Sequence, residues 1–180
     1  MTDHATAEKA LKADKATKSK EPPMSRWIGY RPEIHVLDCT IRDGGLMNNH
    51  QFPDEIVQGV YQACREAGVD YMEIGYKSSR KGIVRGESGA WKYCLEEDMR
   101  RIVGDEHHGL KLSVMADAGK CDYHEDIPPK KESVVDLVRV ATYIHQIPIA
   151  MDMVKDAQDK GYETTVNLMA ASIVPDRELN

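Results

Sequence analysis

The chain of 180 residues lacks the features that mark several large classes of protein. Acidic residues outnumber basic ones by 30 to 24, so there is no excess of positive charge of the kind that nucleic-acid binding needs. The sequence contains no apolar run as long as a membrane-spanning helix, and its N-terminus lacks the apolar core of a signal peptide. We therefore expect a cytoplasmic protein with neither nucleic-acid nor membrane partners.

Cysteine and histidine are present, but without the spacings that disulfide frameworks or metal sites require. The four cysteines are widely separated and form no C-x-x-C pair, which favours free thiols in a reducing compartment. The seven histidines include no H-x-H motif. The sequence also lacks a P-loop and a glycine-rich dinucleotide-binding loop after its first strand-like segment.

Two regions differ in composition. Residues 1–25 are rich in Lys, Ala, Thr and Glu and cannot bury enough apolar surface to order themselves, which predicts a flexible N-terminal tail. Residues 26–180 alternate strand-like and helix-like segments. Strands are predicted at 34–40, 71–76, 111–115, 134–141 and 164–170, and helices at 53–67, 90–102 and 148–160.

This alternation indicates an α/β fold with parallel strands joined by right-handed crossovers. Two architectures agree with it, a doubly wound open sheet and a (β/α)8 TIM barrel. The strand pattern alone does not choose between them.

The most informative segment is residues 36–45, which read Val-Leu-Asp-Cys-Thr-Ile-Arg-Asp-Gly-Gly. We expect a buried strand to end at Arg42 and Asp43, an adjacent cation and anion. A carboxylate can hold a divalent cation, and a guanidinium can bind an oxyanion with two parallel hydrogen bonds. The glycines at 44 and 45 are expected to let the backbone turn sharply and approach a ligand.

The pattern Asp-x-Thr-x-Arg-Asp-Gly, from Asp38 to Gly44, resembles the opening signature of the DRE-TIM metallolyases, the hydroxymethylglutaryl-CoA-lyase-like family. This family includes isopropylmalate and homocitrate synthases, hydroxymethylglutaryl-CoA lyase and 4-hydroxy-2-oxovalerate aldolase. The resemblance implies the TIM barrel. Because such a barrel typically needs about 250 residues, we expect this chain to hold about the first five strands of a longer protein. A compact, self-contained α/β domain is the alternative.

The resemblance also implies roles for individual residues. Asp43 would be a ligand of a divalent metal, Mg²⁺ or Mn²⁺, and Arg42 would polarise the substrate carbonyl and stabilise an enolate. Glu73, in the second strand, would face the barrel interior near Arg42, where a catalytic role and a structural ion pair are both open. Asn167 and Ser172 are predicted to contact substrate or metal-bound water, although satisfied polar core positions would look the same.

Basic residues dominate the loop that follows the second strand. This loop is predicted to close over an acidic substrate, a phosphate or a CoA tail, with Lys77 as a substrate-binding residue. A solvated run of charge is the alternative interpretation. The basic residues of the loop are Lys77, Arg80, Lys81 and Arg85.

Two positions after the signature indicate how closely the chain resembles particular subgroups of this family. Leu46 stands where the hydroxy-oxovalerate aldolases carry a histidine that acts as the base, and leucine cannot accept a proton. His50 matches a position that is often polar in relatives, where it would cap the turn or support the site.

These features predict a metal-dependent carbon–carbon lyase or aldolase, similar to 4-hydroxy-2-oxovalerate aldolase, that acts on a small 2-oxo or hydroxy acid and forms a homo-oligomer. One alternative is an acyl-CoA-dependent Claisen-type synthase, for which the basic loop is the candidate CoA surface. The other is a non-catalytic partial barrel that binds a partner or a metabolite, which the missing H-x-H motif favours.

Overall fold

The computed structural model describes residues 31–79, 81, 87–105, 109–175 and 177. The chain divides by its internal contacts into Met1–Ile34 and His35–Asn180, and the elements below all belong to the second unit. The predicted tail, residues 1–25, lies outside the described residues. No helix of the described part is long and apolar enough to cross a membrane.

Within the described residues, five parallel strands form one sheet in the order of the chain. A doubly wound sheet would reverse its order at a switch point, whereas a barrel adds each strand beside the last. The curled sheet is therefore half of a TIM barrel, which confirms the predicted partial barrel. The strands are β1 Leu37–Asp38, β2 Tyr71–Tyr76, β3 Lys111–Asp117, β4 Leu137–Thr142 and β5 Glu163–Leu168.

The α-helices of the described part follow the strands. They are α1 Thr40–Gly44, α2 Asp54–Glu66, α3 Glu96–Val103, α4 Tyr123–Asp126 and α5 Ile147–Asp159. Acidic residues in the first turns of α2 and α3 complement the positive end of each helix dipole. One hydrophobic core joins strands β2 to β4 with the buried sides of α2, α3 and α5. Its members include Met72, Ile74, Leu112, Val138, Val57, Met99 and Met153.

The expected buried strand at 34–40 is wrong over most of its length, because only Leu37–Asp38 form a strand and Ile34 and Val36 are exposed. The strand ends at Asp38, and residues 40–44 form one turn of α-helix. Asp38 starts this turn, because its carboxylate accepts hydrogen bonds from the backbone N–H of Thr40 at 3.0 Å and from its hydroxyl at 2.8 Å. Arg42 and Asp43 therefore lie on a helical turn beyond the strand and not at its end.

The predicted helix at 90–102 is broken into two pieces. A 3-10 turn at Ala90–Lys92 precedes α3, and Cys94 between them has a φ of 43°, in the left-handed region. The side chain of Trp91 is fully buried in this turn, so the segment follows its packing and not its helical periodicity. The three acidic residues Glu96, Glu97 and Asp98 mark the true start of the helix.

Candidate functional site

The curled sheet collects polar side chains from distant parts of the chain. Adjacent strands place Glu73 beside Ser113, Met115 beside Arg139 and Ala141 beside Asn167. Arg42 reaches the same place from α1, after β1. We call Arg42, Glu73, Arg139 and Asn167 the guanidinium cluster.

Glu73 is the centre of this cluster and is completely buried. One of its oxygens, Oε2, accepts hydrogen bonds from Arg42 Nε at 2.6 Å and from Arg139 Nη1 at 2.9 Å. The other oxygen, Oε1, is buried and has no hydrogen-bond partner among the described residues. A buried carboxylate is costly unless it is paired, so the two guanidinium groups account for its presence mid-strand.

Arg42 is held in its charged form. Burial acts to lower the pKa of Arg42, but the hydrogen bond with Glu73 raises the pKa above its usual value. Arg42 also forms an ion pair with its neighbour Asp43, whose side chain is 62% exposed. The guanidinium carbon lies 5.9 Å from the centre of the Tyr76 ring, within the range of a cation–π contact.

Arg139 is a member of the cluster that sequence reasoning missed. It lies in the middle of β4, and its Nη2 donates to Asn167 Oδ1 at 3.4 Å. The sequence does contain a feature that could have identified it, because Arg139 is a charged residue inside the apolar run Leu-Val-Arg-Val-Ala. Like Glu73, such a residue requires a partner when it is buried. Glu73 and the exposed Asp43 beside Arg42 balance the charges of the two guanidinium groups, whose N–H groups are donors of the kind that bind an oxyanion.

Cys39, between β1 and α1, borders the cluster. Its Sγ lies 3.7 Å from Arg139 Nη1. Burial, followed by the charge of Glu73, raises the pKa of the Cys39 thiol, so it stays protonated near neutral pH. Cys39 is therefore poorly suited to act as a nucleophile.

The other predicted site residues lie in different surroundings. Ser172 is exposed on a 3-10 turn at Ala171–Ile173, beyond β5. Lys77 is buried and donates to the carbonyl oxygen of Cys94 at 2.7 Å, with Glu96 at 3.5 Å. Neither belongs to the guanidinium cluster, and their roles in substrate binding stay predictions.

The basic loop is only partly described. Lys81 pairs with Asp122 and, at 3.3 Å, with Glu125. Arg80 and Arg85 lie outside the described residues. The described lysines of this loop are thus engaged within the chain, which weakens the expectation of a CoA surface.

The described donor atoms do not fit a metal on their own. They include no group of three or more His, Cys, Asp and Glu side chains close enough to hold one. Asp43 offers one exposed carboxylate, and its ion-pair partner is Arg42. Asp43 would therefore supply one ligand of an otherwise incomplete set.

The two glycines that follow Asp43 serve packing. Gly44 and Gly45 have helical φ angles of −59° and −58°, so they do not make the sharp turn that the sequence suggested. A Cβ on Gly44 would lie 3.1 Å from Phe52 Cζ, and a Cβ on Gly45 would collide with the His50 ring. The segment after the signature folds back against the backbone of α1.

Comparisons with known proteins find relatives that are named as aldolases. The chain is 26% identical over 147 residues to a 4-hydroxy-2-oxovalerate aldolase of Carboxydothermus hydrogenoformans, covering 82% of this chain and 43% of that protein. It is 23% identical over 149 residues to 4-hydroxy-2-oxovalerate aldolase 6 of Rhodococcus jostii, covering 83% and 41%. The chain thus spans about two-fifths of the length of these relatives. No family model matches the chain.

A solved structure shares the fold. It is the N-terminal domain of a putative aldolase from Bacteroides vulgatus, with a TM-score of 0.63 and 24% identity. The match covers 77% of this chain and 46% of that one.

Proposed function

We propose that the chain carries the carbonyl-binding part of an aldolase or lyase that cleaves a carbon–carbon bond in a 2-oxo or hydroxy acid. The observation that carries the proposal is the convergence of Arg42 and Arg139 on buried Glu73. Similarity to proteins named 4-hydroxy-2-oxovalerate aldolase supports the same class of reaction.

In the proposed reaction, a base takes the proton of the 4-hydroxyl group of a 4-hydroxy-2-oxo acid, and the bond between C3 and C4 breaks. The electron pair of that bond moves to C3 and is delocalised onto the C2 oxygen as an enolate, while C4 leaves as an aldehyde. Protonation at C3 completes the 2-oxo acid product. The step that needs most help is the growth of negative charge on the C2 oxygen.

The guanidinium cluster suits that step. Arg42 and Arg139 would donate hydrogen bonds to the substrate carboxylate and the developing enolate oxygen. Fixed cations in a site shielded from water stabilise such charge without having to reorganise. Glu73 would align both guanidinium groups, and Asn167 would orient Arg139.

A divalent metal, Mg²⁺ or Mn²⁺, belongs to the proposal for the complete site. It would act as a Lewis acid on the substrate carbonyl, with Asp43 as one ligand. Because the described residues do not complete a ligand set, we assign no step to the metal. Leu46 is 61% exposed and its apolar side chain cannot accept a proton. The base that takes the proton of the 4-hydroxyl group is therefore a residue other than Leu46.

The alternative of a Claisen-type synthase has less support, since Lys77 and Lys81 are both paired within the chain.

The experiment that tests the aldolase proposal measures the release of pyruvate from 4-hydroxy-2-oxovalerate in the presence of Mn²⁺. We expect Arg42→Ala to lower turnover by at least about a hundredfold, because the lost donor acts on the enolate. Arg65→Ala, an exposed arginine on α2, is the matched control and should keep full activity. Equal turnover of the two variants would refute the role of Arg42.

A further inference from the structure

His50 is a buried titratable residue that the proposed reaction does not use. Its side chain is almost fully enclosed, with 4% of the residue exposed. Its Nδ1 is buried and has no hydrogen-bond partner among the described residues. Leaving a buried ring nitrogen unpaired costs free energy, so the position of the ring needs another explanation.

The backbone around His50 is held in an unusual conformation. Asn49 and His50 have φ angles of 53° and 59°, in the left-handed region that non-glycine residues rarely adopt. The His50 N–H donates to the Gly45 carbonyl oxygen at 2.8 Å, and the Gly89 N–H donates to the Asn49 carbonyl oxygen at 2.8 Å. The segment is thus tied to Gly45, directly after α1, on one side and to the segment before Trp91 on the other.

Neither Gly45 nor Gly89 has space for a side chain beside residue 50. A Cβ on Gly45 would collide with the imidazole ring, and a Cβ on Gly89 would collide with the His50 carbonyl group. Gly45 thus accommodates the His50 ring, whereas Gly89 accommodates the backbone carbonyl of residue 50.

The ring of His50 contacts Tyr76, at the end of β2. The two ring centres are 5.3 Å apart and the planes meet at 78°, an edge-to-face arrangement that aromatic pairs favour. The same Tyr76 ring carries the guanidinium group of Arg42 at 5.9 Å. Tyr76 thus connects His50 to the residue that the proposed mechanism needs most.

We propose that His50 is a positioning residue that fixes the Tyr76 ring and, through it, the guanidinium group of Arg42. The inference rests on the proposed function for its biological meaning, but the contact itself makes a prediction that needs no substrate. Burial lowers the pKa of His50, with a further contribution from Lys92, so the ring packs in its neutral form at physiological pH.

The test follows exchange of the Arg42 side-chain Nε–H proton with water by NMR, since this proton is buried in the hydrogen bond to Glu73. His50→Leu fills the space but offers no aromatic edge, whereas His50→Phe restores the edge without the nitrogens. We expect exchange to speed up by about tenfold or more in His50→Leu and to return close to the native rate in His50→Phe. The backbone N–H of Leu112, in the centre of the sheet, is the reference for global stability.

The matched control is His145→Leu, since His145 also stacks on a tyrosine, Tyr143, with ring centres 5.9 Å apart, but is exposed. It should leave Arg42 exchange unchanged. Unchanged exchange in His50→Leu would overturn the proposal. Equal acceleration of Arg42 Nε–H exchange in His50→Leu and His50→Phe would also overturn it. The same holds if the Leu112 backbone N–H exchanged faster by the same factor as Arg42 Nε–H. If the protein lacked aldolase activity while the exchange rates behaved as expected, the proposed function would fail and the positioning role would stand.

Discussion

Glu73 shows how one buried residue organises the site. Its single oxygen Oε2 holds two guanidinium groups that come from α1 and β4, almost one hundred residues apart in the sequence. Pairs at the surface of a protein contribute little to stability, whereas breaking a buried pair leaves an uncompensated charge. The Glu73 pairs belong to the second kind, because the carboxylate has no access to water.

This difference predicts the effect of removing Arg139. Arg139→Met should lower the free energy of unfolding by about 3 kcal/mol, since Glu73 then keeps one cationic partner in place of two. Arg101→Met is the control, because Arg101 is 47% exposed and pairs with Asp54 at 2.5 Å and with Asp98 at 2.7 Å, and it should cost about 1 kcal/mol. Urea unfolding of both variants measures the two values. Similar losses would show that the Glu73 pair behaves as a surface pair.

At the residue scale, the sequence pointed to Glu73 and overlooked Arg139 for an instructive reason. Both are charged residues within apolar strands, and the same cost of burial applies to each. Only Glu73 lay in a segment that the family resemblance had drawn attention to. The partner of Arg139 could not be identified from the sequence, because Glu73 lies on β2 and Arg139 on β4, and the two side chains meet across β3 of the curled sheet.

At the scale of elements, apolar runs located the strands, but side-chain packing decided where the elements end. β2 spans Tyr71–Tyr76 as predicted, because it is buried through most of its length and has turn residues on either side. β4 begins at Leu137, three residues later than predicted from position 134. The signature formed a helical turn because Asp38 bonds to Thr40, a local polar contact that a hydrophobic pattern does not report.

Two glycines allow a test of how packing controls β2. A Cβ on Gly75 would overlap the carbonyl oxygen of Trp91 and lie 2.6 Å from Cys94 Sγ, so Gly75→Ala should destabilise the protein by about 1–3 kcal/mol. A Cβ on Gly59, exposed in α2, meets nothing within 4 Å, and Gly59→Ala should stabilise the protein by about 0.5–1 kcal/mol. Thermal unfolding compares the two, and the same sign for both changes would contradict the packing argument.

At the scale of the whole molecule, the described sheet has two edges. β1 pairs with β2 alone and β5 with β4 alone among the described residues, so each edge presents unpaired backbone groups. On β5 itself the apolar side chain of Val166 is 47% exposed. Such edges favour association with another chain.

The predicted homo-oligomer can be tested at this edge. We expect the chain to self-associate in sedimentation equilibrium, and Val166→Lys to weaken the association, because a charge at an edge opposes strand pairing. Gln58→Lys adds the same charge on the exposed side of α2 and should leave association unchanged. A monomer at all concentrations would contradict the prediction.

The central claim is that the guanidinium cluster binds the planar anion of a 2-oxo acid. The most direct measurement is calorimetric titration of the full chain with oxalate, which resembles the enolate of pyruvate in shape and charge. We expect saturable binding that Arg42→Gln weakens by about tenfold or more, while Arg65→Gln binds oxalate as the native chain does. Absence of oxalate binding, or equal affinity in both variants, would contradict it.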